Sequence, residues 1–103
     1  MLTKEKIFEL LKKENSKLHN DFYISRIGLF GSYLSNTANV DSDIDFVVEF
    51  YKPIGIDFIK LYDFLEGIFN KKIDIITLEG LKNIRIDSVR NNILNSIEYV
   101  QVA

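Results

Sequence analysis

One long segment of strict helical period lies between two short β-branched runs. Ile56, Ile59, Leu61, Phe64, Leu65, Ile68 and Phe69 recur at helical spacing, so residues 56–70 read as an amphipathic helix with an apolar stripe to bury. The run before it, Ile44 to Phe50, holds the apolar stretch Phe46-Val47-Val48; the run after it is Ile73 to Leu78. A third run, Tyr23 to Phe30, stops at Gly31. Such β-branched and aromatic runs read as strands. Thr3 is placed to cap a first helix with Ile7, Leu10, Leu11 and Leu18 on one face, fading between Asn15 and Asn20. After Leu78 the pattern is helical again through Leu81, Ile84, Val89, Ile93 and Leu94. The expected order is α-β-(loop or short α)-β-α-β-α, an α/β (α+β) domain with a small mixed sheet backed by helices.

The 103 residues correspond to one domain spanning 1–103. With 47% hydrophobic and 13% aromatic residues, disorder is excluded as the main state. Thirteen basic against fifteen acidic side chains give a net charge of −2, so direct nucleic-acid binding by bulk charge is not expected. The absence of cysteine removes thiolate catalysis, disulfides and thiolate metal sites, and a lone His19 removes the common zinc scaffolds. A metal here is expected to be a hard ion on carboxylate oxygen. No stretch has the ~18 apolar residues that span a bilayer, and no apolar signal core opens the chain. The expected setting is cytoplasmic.

Three features carry chemistry. Gly31-Ser32 follows a strand and precedes a short helix start. Glycine lets backbone approach a phosphate, the helix start offers free N–H groups, and Ser32 adds a hydroxyl. Equally, such a pair is an ordinary strand-to-helix turn. Asp43-Ile44-Asp45 places two acids at the mouth of a strand. Residues i and i+2 share a face with Cα atoms about 6.6–6.8 Å apart, so both can address one or two Mg²⁺ ions. The competing role is a solvated strand end with Asp41 and Asp43 in turn positions. An EF-hand is excluded because Phe46 stands where the loop needs glycine, and the chain is too short for a doubly wound nucleotide-sugar domain. Asp74 is a lone acid in Ile73-Asp74-Ile75-Ile76. Buried there, it would cost several kcal/mol unless paired, hydrated or metal-bound.

Together these features are far more specific than any alone. Ser32, ten residues, Asp43-x-Asp45 and then a lone strand acid at Asp74 resemble the signature of the nucleotidyltransferase-fold superfamily. The text Arg26-Ile27-Gly28-Leu29-Phe30-Gly31-Ser32-Tyr33, Asp41 to Phe50 and Lys72 to Thr77 is similar to the minimal nucleotidyltransferase (MNT) antitoxins paired with HEPN-domain toxins. That resemblance spans nearly the whole chain. It implies the nucleotidyltransferase fold, nucleotide phosphates on Gly31 and Ser32, and Mg²⁺, two ions, on Asp43, Asp45 and Asp74 as catalytic carboxylates. It further implies AMP transfer from ATP to a tyrosine hydroxyl of a partner HEPN ribonuclease, in a hetero-oligomer.

One departure from the family pattern is plain. Where family members often continue with Ala-Arg-Gly, this chain reads Tyr33-Leu34-Ser35-Asn36, so Ser35 stands at the arginine position. Lys71, Lys72, Lys82 and Arg85 are the candidate replacement cations, against their ordinary role as solvated charge. Tyr33, Leu34, Tyr51, Tyr99 and Val100 are the candidate docking residues, against ordinary burial in the core. Two other functions compete: an antitoxin that neutralises by binding alone, and a nucleotidyltransferase for small-molecule hydroxyls.

Overall fold

A computed structural model describes residues 2–102; Met1 and Ala103 lie outside the described residues. Thr3 caps α1 (Lys4–Lys13), its hydroxyl accepting from the Lys6 N–H. Rather than fading, the chain breaks at Glu14 and resumes as α2 (Asn15–Asn20), because Leu18 is fully buried against the core. Then follow β1 (Ile24–Phe30), the single turn α3 (Ser32–Ser35) and β2 (Ile44–Phe50). α4 (Asp57–Phe69), β3 (Ile73–Thr77), α5 (Leu78–Lys82), α6 (Asp87–Ser96) and β4 (Glu98–Gln101) complete the order.

The four strands form one mixed sheet ordered β3-β2-β1-β4. β1 pairs antiparallel with β2 and β4, while β2 and β3 run parallel with α4 as the crossover. Ile44, Phe46 and Val48 of β2 join Ile27, Leu29 and Ile73 in the main core, packed on Ile7 and Leu11 of α1 and Leu61, Leu65 and Phe69 of α4. By strand alternation Asp45 and Val47 face the other way. There Val47 packs with Leu78 and Leu81, beside Phe30, Ile76, Ile93 and Ile97. This second face has only a small apolar cluster, and α6 has no fully buried residue.

β4 and the division of the tail into α5 and α6 add to the expected order. Gly28 makes β4 possible. A Cβ there would collide with Ile97 and stand 2.9 Å from Tyr99 Cδ1 and 3.0 Å from Val47 Cγ1. Among the described residues no helix is long and apolar enough to cross a membrane.

Candidate active site

The end of β1 and the start of β2 meet in the antiparallel register that sets Phe30 opposite Asp45. Gly31, next in the chain, therefore lies directly against the Asp45 carboxylate. Its φ is +75°, and a Cβ built on it would run into Asp45 Oδ2. Both facts require glycine. The Gly31 carbonyl accepts from the Ser35 N–H at 3.1 Å and from the Ser35 hydroxyl at 3.2 Å. Ser35 thus braces the turn. The Ser32 hydroxyl makes no hydrogen bond among the described residues. Because α3 is only four residues long, the approach of an anion rests on the open glycine backbone and on Ser32 more than on a helix dipole.

β2 and β3 then bring the acids together. Their parallel register sets Asp45 beside Asp74, and Asp43 lies two residues before Asp45. Partial burial, with the charges of Asp74 and Asp43, pushes the Asp45 carboxyl up from 3.8 to about 6. The Asp74 side is open to solvent. The burial cost expected for an acid in that apolar run is not incurred, because Asp74 lies exposed on the sheet face that carries only the small second cluster. Asp45 feels the charges of the other two, but the three carboxylates are not drawn into a closed cage. Among the described residues no three His, Cys, Asp or Glu side chains gather closely enough to hold an ion unaided.

The candidate replacement cations separate cleanly. Lys71 is half-buried, donates to the Val40 carbonyl at 3.1 Å and lies 5.7 Å from the Tyr33 ring centre. Lys72 is exposed, and its carbonyl accepts from the Ile44 N–H. Arg85 is exposed between α5 and α6, and Lys82 lines a cavity of about 520 Å³ with Val48, Phe50 and Pro53 at the far end of β2. That larger cavity touches none of the acids. A smaller one, about 380 Å³, adjoins Gly31 and is lined by Leu34, Ser35, Asn92, Ile93 and Ser96. Asn92 and Ser96 carried no sequence signal, since only the fold of α6 across the sheet brings them to the turn. Of the docking candidates, Tyr33 is corrected to a core residue at 3% exposure, Val100 takes the core role weighed for it, Leu34 is half-buried against the core, and Tyr51 and Tyr99 are exposed.

This arrangement has counterparts. The model of the nucleotidyltransferase domain family matches residues 6–100. The chain belongs to that family. A candidate protein adenylyltransferase of Methanocaldococcus jannaschii is 41% identical over 82 residues, covering 79% of this chain and 95% of the relative. The protein adenylyltransferase MntA of Thermococcus cleftensis is 33% identical over 101 residues, 97% of this chain and 98% of its own. Among solved structures, a candidate minimal nucleotidyltransferase superposes with a TM-score of 0.65 at 24% identity, over 88% of this chain and 93% of the other. A toxin–antitoxin crystal structure with AMP-PNP gives 0.64 at 22% identity, over 99% of this chain and 75% of that one. These likenesses establish the nucleotidyltransferase fold, and family membership makes the chain a nucleotidyltransferase.

Proposed function

We propose that this nucleotidyltransferase is an antitoxin that moves AMP from ATP to a tyrosine hydroxyl of a cognate HEPN ribonuclease toxin, with Mg²⁺ as cofactor. The observation that carries the reading is Asp45 held against Gly31 and beside Asp74, with Asp43 close enough to act on its charge and Ser32 next in the chain after Gly31. The relatives named protein adenylyltransferases support the chemistry, and the toxin–antitoxin structures of the same fold support the partner.

The carboxylates fit a hard divalent ion. They are oxygen donors, and partial burial together with the charges of Asp74 and Asp43 raises the Asp45 carboxyl, a cost that a bound cation would offset. Their incomplete gathering suits Mg²⁺, which takes one or two carboxylates and completes its shell with phosphate oxygens and water. When bound, the metal would neutralise charge on the phosphates and on the leaving pyrophosphate. Asp43 and Asp45 would hold it, with Asp74 at its exposed edge.

The protein's own groups do the positioning. Gly31 admits the polyphosphate to within hydrogen-bonding reach of the backbone, and the Ser32 hydroxyl donates to it. Asp74, exposed and next to Asp45, orients the incoming hydroxyl and takes its proton. A bond forms between the hydroxyl oxygen and the α-phosphorus. The bond from that phosphorus to the bridging oxygen breaks, and pyrophosphate leaves with the electron pair. Such transfer is chiefly positioning and charge stabilisation. An acceptor on a folded partner can reach this centre because the Asp74 side is open.

Intact-mass analysis of the toxin after co-expression tests the proposal. The expected result is a gain of one or more AMP residues with the native chain and none with Asp45→Asn. Full neutralisation by Asp45→Asn without any adduct would leave binding alone as the function.

A further inference from the structure

Between Ala38, packed on the main core, and fully buried Ile44, residues 39–43 bury no side chain completely. Within this segment, the Asn39 side chain accepts from the Asp41 N–H at 2.9 Å, and the Ser42 hydroxyl accepts from the Asn39 N–H at 3.0 Å. These bonds brace the loop against itself but not against the fold. Val40, at its tip, is 77% exposed and contributes no buried anchor. The loop is instead tied to the turn between α4 and β3 at two points. The Lys72 carbonyl accepts from the Ile44 N–H at 3.1 Å, and the Lys71 ammonium donates to the Val40 carbonyl at 3.1 Å. Asp43 lies between these two tethers. Lys71 also faces the ring of Tyr33, which is buried next to Ser32. No ion pair engages Lys71 among the described residues.

We infer that Lys71 is a positioning residue: its ammonium clamps the 39–43 loop through the Val40 carbonyl and so sets Asp43 for the metal–nucleotide complex. One short turn thereby fixes the first acid through Lys71 and leads directly into the third, Asp74. Losing the clamp frees the loop tip without emptying the core, since Val40 is already in solvent. The consequence falls on metal–nucleotide affinity rather than on folding. This inference rests on the carboxylate reading above.

The test is Mn²⁺ binding by the full chain with a non-hydrolysable ATP analogue, followed through the electron spin resonance of free Mn²⁺, beside melting temperature. Lys71→Met keeps the stem over Tyr33 but loses the donor. Lys71→Arg keeps both donor and cation. Lys71→Met is expected to weaken Mn²⁺ binding about tenfold, or about 1.4 kcal/mol, with melting within about 2 °C of native, as for a surface change. Lys71→Arg is expected to restore binding to within about threefold. Unchanged binding in Lys71→Met, equal loss in Lys71→Arg, or a much larger fall in melting temperature would each overturn the clamp. Asp43→Asn separates the two levels. If it loses binding while Lys71→Met does not, only the clamp fails; if it binds like the native chain, the carboxylate reading fails and the clamp with it.

Discussion

Asp45 and Asp74 are register partners across the parallel β2–β3 pair, two carboxylates set side by side where the sheet leaves its face uncovered. Partial burial, with the charges of Asp74 and Asp43 added, raises the Asp45 carboxyl to about 6. The metal-free protein thus stores an electrostatic penalty at the place where the proposed chemistry needs a cation.

That penalty has a definite pH dependence. The unfolded chain loses the Asp45 proton near 3.8 and the folded one near 6, so between these values the folded state holds more protons. This group's contribution to stability therefore falls as pH rises through that window and stays low above it. Asp45→Asn has no such dependence. Its melting temperature is expected to exceed the native one at pH 7–8 and to match it below pH 4, in metal-free buffer. Half-exposure screens the effect, so the gain is on the order of 1 kcal/mol, or about 4–8 °C for a domain of this size. Calorimetry of both proteins across pH checks it; a native chain that gains on the variant above pH 6 contradicts the assignment.

The three acids should divide in their effects. Asp43→Asn and Asp45→Asn are expected to lower AMP transfer at least about a thousandfold, roughly 4 kcal/mol of barrier, and to abolish metal–nucleotide binding. Asp74→Asn is expected to bind ATP with Mg²⁺ within a few fold of native yet fail to transfer. Because Asp74 is exposed, its stability should change by no more than about 0.5 kcal/mol. Equilibrium nucleotide binding and radiolabelled transfer, measured on the same preparations, distinguish the two classes.

Gly31 is constrained twice, by a φ of +75° and by the Asp45 carboxylate where its side chain would be. Gly31→Val is expected to lose nucleotide binding and to destabilise the fold by about 1–3 kcal/mol through left-handed strain. Ser32→Ala should weaken ATP binding by about 1–2 kcal/mol, the scale of a hydrogen bond to a charged group, and leave melting unchanged because that hydroxyl supports nothing in the fold. Titration calorimetry with ATP and Mg²⁺ reads both.

How far the sequence discloses this architecture depends on whether local pattern or long-range pairing decides each element. β2 is found at Ile44–Phe50 as its apolar run predicts, and α4 at Asp57–Phe69 as its periodicity predicts. Spacing puts Asp43 and Asp45 on one strand face, while only the family resemblance joins Gly31 and Asp74 to them; in the fold, register sets Asp45 against Gly31 and beside Asp74. β4 could not be seen, since Glu98-Tyr99-Val100-Gln101 is short and half polar. It is a strand because β1 offers it an edge and Gly28 offers Ile97 and Tyr99 room. Nor does the run around Asp74 reveal how little covers that face of the sheet, and that decides whether its acid is buried. Tyr33 follows the same logic: beside a polar loop in sequence, it turns into the main core in space.

β3 also faces an edge problem in backbone terms. As an outer strand it presents N–H and C=O groups that no strand covers, a template for unwanted pairing. Tyr62 of α4 meets this at its centre: its hydroxyl accepts from the Ile75 N–H at 2.9 Å and donates to the Ile75 carbonyl at a longer 3.4 Å. The ring remains packed by edge contact with Phe58. Tyr62→Phe keeps that packing and deletes only the hydroxyl. It is expected to cost about 0.5–1.5 kcal/mol, the net worth of a hydrogen bond, and to speed hydrogen exchange at the Ile75 amide more than at Ile27 in the interior of the sheet. Amide exchange followed by nuclear magnetic resonance reads the two sites together. Equal acceleration at Ile75 and Ile27 would mean that the hydroxyl supports global stability rather than shielding the strand that carries Asp74.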